Sequence, residues 1–209
     1  MTTVFWRRGL LWGLLIASLA AIVGAAIWSR IPHWTGDPPP ELGRVPDFEM
    51  TNRDGRRVGL SDLLGSPWIA DFIFTRCADS CPRITERMAR LEHELPPRLG
   101  ARLVSFSVDP EHDVPPVLEK YAEKVGAPEH WWFLSGERTE VHDLIRNGFK
   151  LAVDAAPPPG TVATEPILHS TRFVLVDAGG RIRGYYDAFD ESAMKHLKRD
   201  LEALGAAGR

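Results

Sequence analysis

The chain has 209 residues, a length that suits one compact domain plus a smaller additional segment. Hydrophobic residues make up 44% of it and charged residues 25%, which excludes a disordered or fibrous protein. The formal net charge is -3, and a chain without a basic surplus is a poor candidate for binding nucleic acid.

The first 30 residues have the pattern of a membrane anchor. Gly9–Ser29 contain no charged side chain and, as a helix, span about 31 Å at roughly 1.5 Å per residue, enough for the hydrocarbon core of a bilayer. Arg7 and Arg8 come just before, so one transmembrane helix is predicted within residues 7–30. Because positive charge stays in the cytoplasm, the N-terminus is expected there and the rest on the periplasmic, extracytoplasmic side of the inner membrane. A cleaved signal peptide is the alternative.

The remainder of the chain divides into a linker, a domain and a short tail. Residues 31–44 contain a proline-rich stretch that cannot form a regular helix, and they are predicted to be a linker. The folded domain is expected over residues 45–204, and residues 205–209 form a tail. A length of about 160 residues suits a single hydrophobic core.

Apolar periodicity and turn residues predict alternating strands and helices in this domain. In chain order they are a strand at Pro67–Phe74, a helix at Pro82–Leu95, a strand at Arg102–Val108, a helix capped by Asp113 and running to Val125, a helix at Glu137–Asn147, strands at Thr171–Val176 and Ile182–Tyr186 joined at Gly179–Gly180, and a helix at Glu191–Leu204. This order predicts an α/β fold, a thioredoxin-like mixed sheet flanked by helices, preceded by the transmembrane helix.

The only two cysteines, Cys77 and Cys81, lie close together at the junction of a predicted strand and helix. Two cysteines exclude a disulfide-rich scaffold and a four-cysteine metal site. A helix N-terminus stabilises thiolates, and two thiolates one helical turn apart can converge on a metal ion. The alternatives are a redox-active disulfide, which requires the loop to tighten, and a pair of inert buried thiols.

A metal ion held by two cysteines needs a third ligand, and the chain offers seven histidines. His169 follows a stretch rich in proline and alanine and precedes a predicted strand. In a thioredoxin-like fold that strand entry lies close to the cysteine loop, which makes His169 the leading candidate. His112 and His130 lie in predicted loops, and the sequence pattern does not exclude them.

Four segments of the chain resemble the SCO/SenC family. They are TRCADSCP, VSFSVDPEHDVPPVLEKYA, HWWFLSG and ILHSTRFVLVDAGGRIRGYYD, in this order. Members of that family are membrane-anchored, thioredoxin-like copper proteins that assist assembly of the dinuclear copper (CuA) centre of cytochrome c oxidase. The resemblance implies copper, as Cu(I) or Cu(II), and assigns Cys77, Cys81 and His169 as its ligands.

The acidic residues in VDPEHD have two interpretations. Asp109 and Asp113 resemble acids that the family places near its metal loop, where they can orient His169 or an incoming partner. Turn formation and helix capping explain them equally well, and for Asp113 capping is the preferred interpretation. Trp131, Trp132 and Phe133 are expected in the core.

The sequence leaves two functions open. The first is a metallochaperone without catalytic turnover that delivers copper to the CuA-bearing subunit of cytochrome c oxidase, with other periplasmic copper carriers as further partners. The second is a thiol–disulfide oxidoreductase that reduces the cysteines of the apo-oxidase subunit, with Cys77 attacking and Cys81 resolving. Thioredoxin-like reductants are expected partners in that case. His169 discriminates, because disulfide exchange does not need it.

Overall fold

The computed structural model describes Ser18 and residues 38–76, 80–151 and 170–207. The described residues from Pro38 onward form one compact unit. Within these ranges no helix is both long and apolar enough to cross a membrane. Apart from Ser18, the predicted transmembrane segment Gly9–Ser29 lies outside the described residues, and so do Cys77 and His169.

In the described ranges, eight strands form one mixed sheet in the order β1-β8-β7-β4-β5-β6-β2-β3. The strands are β1 (Gly43–Arg44), β2 (Glu49–Asn52), β3 (Arg57–Gly59), β4 (Trp68–Ile73), β5 (Arg102–Ser107), β6 (Trp131–Ser135), β7 (Arg172–Val176) and β8 (Arg181–Asp187). Strands β4, β5 and β6 are parallel to one another, and every other pairing is antiparallel. The parallel strands are buried almost throughout, as strands covered on both faces are.

Helices cover both faces of the sheet, as the sequence predicts. They are α1 (Leu60–Leu63), α2 (Ser80–Glu94), α3 (Pro115–Lys124), α4 (Arg138–Asp143) and α5 (Glu191–Ala207), with a 3-10 turn at Pro97–Leu99 and a π-helical turn at Leu144–Gly148. Apolar side chains of α2, α3 and α5 pack with Ile69 and Ile73 of β4 on one face. Those of α1, α4 and the π-helical turn pack with Trp68 and Phe72 on the other.

Most of the predicted elements are confirmed, and one residue role is wrong. The long apolar runs form β4, β5, β7 and β8, and Trp131–Phe133 lie in the core as part of β6. Helix α3 starts at Pro115 with Val114 as its N-cap residue and has no side-chain capping bond. Asp113 is therefore not the helix cap; it is fully buried and bonds elsewhere. Strand β6, the short strands β1, β2 and β3 and the short helix α1 are not among the predicted elements.

The topology brings three chain segments to one edge of the sheet. Because β5 is parallel and β7 antiparallel to β4, the ends of β4 and β5 meet the start of β7 there. We call this the cysteine edge and define it by Ile73–Arg76, Val108–Val114 and Ser170–Arg172. The first described residues of α2 follow Arg76 after a gap of three residues.

Candidate metal centre

Cys81 is the predicted ligand that the structure describes. It is the second described residue of α2, and only 6% of its surface is exposed. It belongs to the same apolar cluster as Phe72 of β4 and Phe74, the residue that follows β4. The cysteine therefore lies at the start of a long helix and against the cysteine edge, where the helix dipole favours negative charge. Its predicted partner Cys77 lies outside the described residues.

The residue Thr75, which follows the end of β4, is hydrogen-bonded to a buried carboxylate. Asp113 accepts hydrogen bonds from the Thr75 amide (3.0 Å) and the Thr75 hydroxyl (2.5 Å). The Ser107 hydroxyl donates a third bond to the same carboxylate, at 2.6 Å. Burial raises the pKa of Asp113; the bonds from Ser107 and Thr75 oppose the rise, and the nearby charge of Asp109 adds to it. One acidic side chain thus joins the end of β4, the end of β5 and the loop before α3.

A second carboxylate holds the next residue. Arg76 donates from Nη2 (2.5 Å) and Nε (3.0 Å) to one oxygen of Asp109. The guanidinium side chain is 58% exposed, whereas the Asp109 side chain is 5% exposed. The Ser107 hydroxyl oxygen accepts from the Asp109 amide at 3.1 Å. The two aspartates of VDPEHD, Asp109 and Asp113, therefore bond the two residues that precede Cys77.

Two candidate histidines fall at opposite edges of the sheet. His130 immediately precedes β6, whose start lies at the edge away from Cys81, and its Nε2 lies 3.3 Å from Glu92 Oε1. His130 is therefore not a ligand partner of Cys81. His112 is exposed at the cysteine edge, in the loop that contains Asp109 and Asp113.

His169 lies outside the described residues, one position before Ser170. Strand β7, which begins at Arg172, runs antiparallel to β4 with Val174 opposite Ala70. The start of β7 is therefore at the edge where β4 ends. Among the described residues, no group of three or more His, Cys, Asp or Glu side chains is arranged to hold a metal ion. The three-ligand assignment stays a prediction, since two of its members fall outside them.

Sequence reasoning missed three residues at or next to the cysteine edge and one buried acid. Thr75, Arg76 and Ser107 had no assigned role, although the first two directly precede Cys77. Asp71 in the middle of β4 is fully buried, and neither of its carboxylate oxygens has a hydrogen-bond partner in the described parts of the chain. A single acid within the apolar run PWIADFIF was the available signal.

Comparison with known proteins identifies the family. The sequence profile of SCO1/SenC matches residues 37–204, which cover most of the chain. The chain belongs to the SCO1/SenC family. The SCO1 protein homolog of Bacillus subtilis (strain 168) is 31% identical over 199 residues, which are 94% of this chain and 95% of the relative.

Solved structures of Sco proteins have the same fold. BsSco is a member of the Sco family of cytochrome c oxidase assembly proteins, and a disulfide switch has been identified in it. Its structure is 31% identical in sequence to this chain, with a TM-score of 0.70, and the match covers 81% of this chain and 97% of the BsSco chain. Yeast Sco1 with copper bound is 23% identical, with a TM-score of 0.64 over 78% and 90%. The likeness to the yeast protein concerns the fold.

Proposed function

We propose that this protein binds copper through Cys77, Cys81 and His169 and delivers it to the CuA centre of cytochrome c oxidase. The observation that carries the proposal is the meeting of three segments at the cysteine edge. The residue before Cys77 (Arg76), the buried thiol of Cys81 and the residue after His169 (Ser170) all belong to segments that converge there.

The ligand chemistry suits copper as a cargo. Two thiolates and one imidazole are soft and borderline ligands that favour Cu(I) and also accept Cu(II). Three protein ligands leave a position open, through which an acceptor protein can approach the ion and take it over. The copper-bound yeast Sco1 supports this choice of metal, and the role of BsSco in oxidase assembly supports the choice of acceptor.

The membrane anchor is part of the same proposal. A single helix within residues 7–30 attaches the protein to the inner membrane, and residues 31–44 link it to a domain of residues 45–204 in the periplasm. The uninterrupted apolar sequence from Gly9 to Ser29 and the arginines before it support this arrangement. Copper then reaches the oxidase subunit on the side where the CuA centre is built.

A second function is favoured by the disulfide switch of BsSco. In it, the thiols of Cys77 and Cys81 lose two electrons and two protons and form one S–S bond. A disulfide of the apo-oxidase subunit accepts these electrons and protons and opens to two thiols. A thioredoxin-like reductant later reduces the Cys77–Cys81 disulfide back to two thiols. The pair of cysteines serves this exchange without any histidine.

Anaerobic Cu(I) titration of the full-length chain in detergent separates the two functions. We expect one copper per chain and a large loss of affinity in Cys77→Ala, Cys81→Ala and His169→Ala. His112→Ala and His130→Ala are the matched controls and should bind like the wild type. Copper affinity that does not change in His169→Ala contradicts the three-ligand site. Weak copper binding together with rapid reduction of an oxidase-peptide disulfide supports the oxidoreductase instead.

A further inference from the structure

Thr75 and Arg76, the two residues before Cys77, are hydrogen-bonded by side chains from another segment of the chain. Thr75 and Arg76 follow the end of β4, yet their polar groups bond Asp113 and Asp109 in the loop between β5 and α3. The backbone entering the loop is thus fixed by a neighbouring segment of the cysteine edge.

Thr75 is the more tightly held of the two. Its amide and its hydroxyl donate to different oxygens of the same Asp113 carboxylate, so the main chain and the side chain are restrained together. Asp113 is fully buried, whereas Arg76 is more than half exposed. Both acids are buried, but the guanidinium of Arg76 faces solvent, which screens its ion pair with Asp109, whereas hydrogen bonds to the Asp113 carboxylate are strong and directional.

Capping of helix α3 does not explain why an acid is buried at position 113. The N-cap residue of α3 is Val114, and no side chain caps the helix. Pro115 and Pro116 begin the helix without N–H groups that need an acceptor. The hydrogen bonds of the Asp113 side chain instead go to Thr75 and Ser107.

We propose that Asp113 is a positioning residue for the copper site, acting through Thr75 to hold the main chain that leads into Cys77. This inference rests on the proposed function and adds a residue that does not touch the metal. When Asp113 and Thr75 are bonded, the chain enters the segment that contains Cys77 from one backbone conformation. When the bonds are lost, the main chain at Thr75 is no longer fixed, and copper binds more weakly and leaves faster.

The experiment compares Asp113→Asn, Thr75→Val and Thr75→Ser in the full-length chain. Asp113→Asn retains the shape but loses one acceptor oxygen, Thr75→Val removes only the hydroxyl, and Thr75→Ser restores it. Asp177→Asn is the matched control. Asp177 is also a buried acid; it accepts bonds from Gly179, Arg181 and Arg183 in the hairpin after β7, at the opposite edge of the sheet.

Cu(I) affinity is measured by competition with a chromophoric chelator, and amide hydrogen exchange is measured at Thr75 and Arg76. We expect Asp113→Asn and Thr75→Val to weaken affinity about 10- to 100-fold, the usual effect of removing a group that supports a metal ligand. Both should speed exchange at the Thr75 amide, and Thr75→Ser should behave like the wild type. Asp177→Asn should lower the unfolding midpoint while leaving affinity unchanged.

The proposal is overturned if Asp113→Asn and Asp177→Asn reduce copper affinity equally at matched loss of stability. If Asp113→Asn does not fold, the comparison of Thr75→Val with Thr75→Ser decides alone, and equal affinities overturn the proposal. If the wild type itself fails to bind copper, the proposed function fails. The positioning role is then tested by alkylation of the reduced protein: a changed rate at Cys77 relative to Cys81 in Thr75→Val supports it, and an unchanged ratio contradicts it.

Discussion

The stability of Asp71→Asn relative to the wild type should increase as the pH rises. Asp71 lies in the central strand β4 with no exposed surface, and its carboxylate oxygens have no hydrogen-bond partner within the described ranges. Loss of hydration raises its pKa from 3.8 to about 7. The hydroxyl of Ser105, the residue paired with Asp71 on β5, and the backbone at Asp71 offset this rise only in part.

The sign of the effect follows from the direction of the pKa shift. Between its unfolded pKa of 3.8 and its folded pKa of about 7, Asp71 ionises in the unfolded chain but stays protonated in the folded one. Rising pH therefore favours the unfolded state across this range. At about 1.4 kcal/mol per pH unit, the penalty reaches on the order of 4 kcal/mol at about pH 8 and is only about 2 kcal/mol at about pH 5.

Urea unfolding of the wild type and Asp71→Asn at these two pH values measures the effect. The asparagine does not ionise, so the free energy of unfolding of the variant relative to the wild type should increase by about 2–3 kcal/mol from about pH 5 to about pH 8. Taking the difference between the two pH values cancels the cost of burying the amide. The control is Asp47→Asn, whose side chain is exposed. A relative stability of Asp71→Asn that is the same at both pH values would refute the reasoning.

Two further substitutions test the packing around the sheet. Trp131→Phe removes the indole N–H that donates to the Ser105 hydroxyl at 2.9 Å. It should lower the free energy of unfolding, measured by urea denaturation, by about 1–3 kcal/mol. An unchanged free energy of unfolding would contradict the hydrogen bond. Met88→Ala truncates a fully buried side chain of α2 in the core shared with α5. By the same measurement it should lower the free energy of unfolding by about 2–5 kcal/mol. A loss under about 1 kcal/mol would show that this core collapses around the cavity.

Most of the longer elements could be predicted from the sequence because their signals are local; β6 is the exception, since its residues were predicted only as core. The apolar run at β4, the amphipathic pattern of α2 and the two glycines between β7 and β8 each specify one element without reference to the rest of the chain. Strands β1 and β3 have two and three residues, too few for an alternating pattern to register. Each is defined by its pairing with a neighbouring strand, β1 with β8 and β3 with β2.

The role of Asp113 shows where local reasoning stops. An acid shortly before a helix is a reasonable cap, but here the helix starts two residues later, at Pro115. The carboxylate instead bonds Thr75, which is 38 positions earlier in the chain. Only the parallel pairing of β4 and β5 brings these residues together, and that pairing is a property of the whole sheet. The cysteines and His169 could be proposed from sequence because their chemistry is distinctive.

The central claim is that copper is held by two thiolates and the imidazole of His169. X-ray absorption spectroscopy of the Cu(I)-loaded full-length chain tests it most directly, with His169→Ala and His112→Ala measured alongside. The account predicts two sulfur ligands and one imidazole nitrogen in the wild type, an unchanged spectrum in His112→Ala, and loss of the imidazole signal in His169→Ala alone. A wild-type spectrum without imidazole, or one whose imidazole signal disappears in His112→Ala, would contradict it.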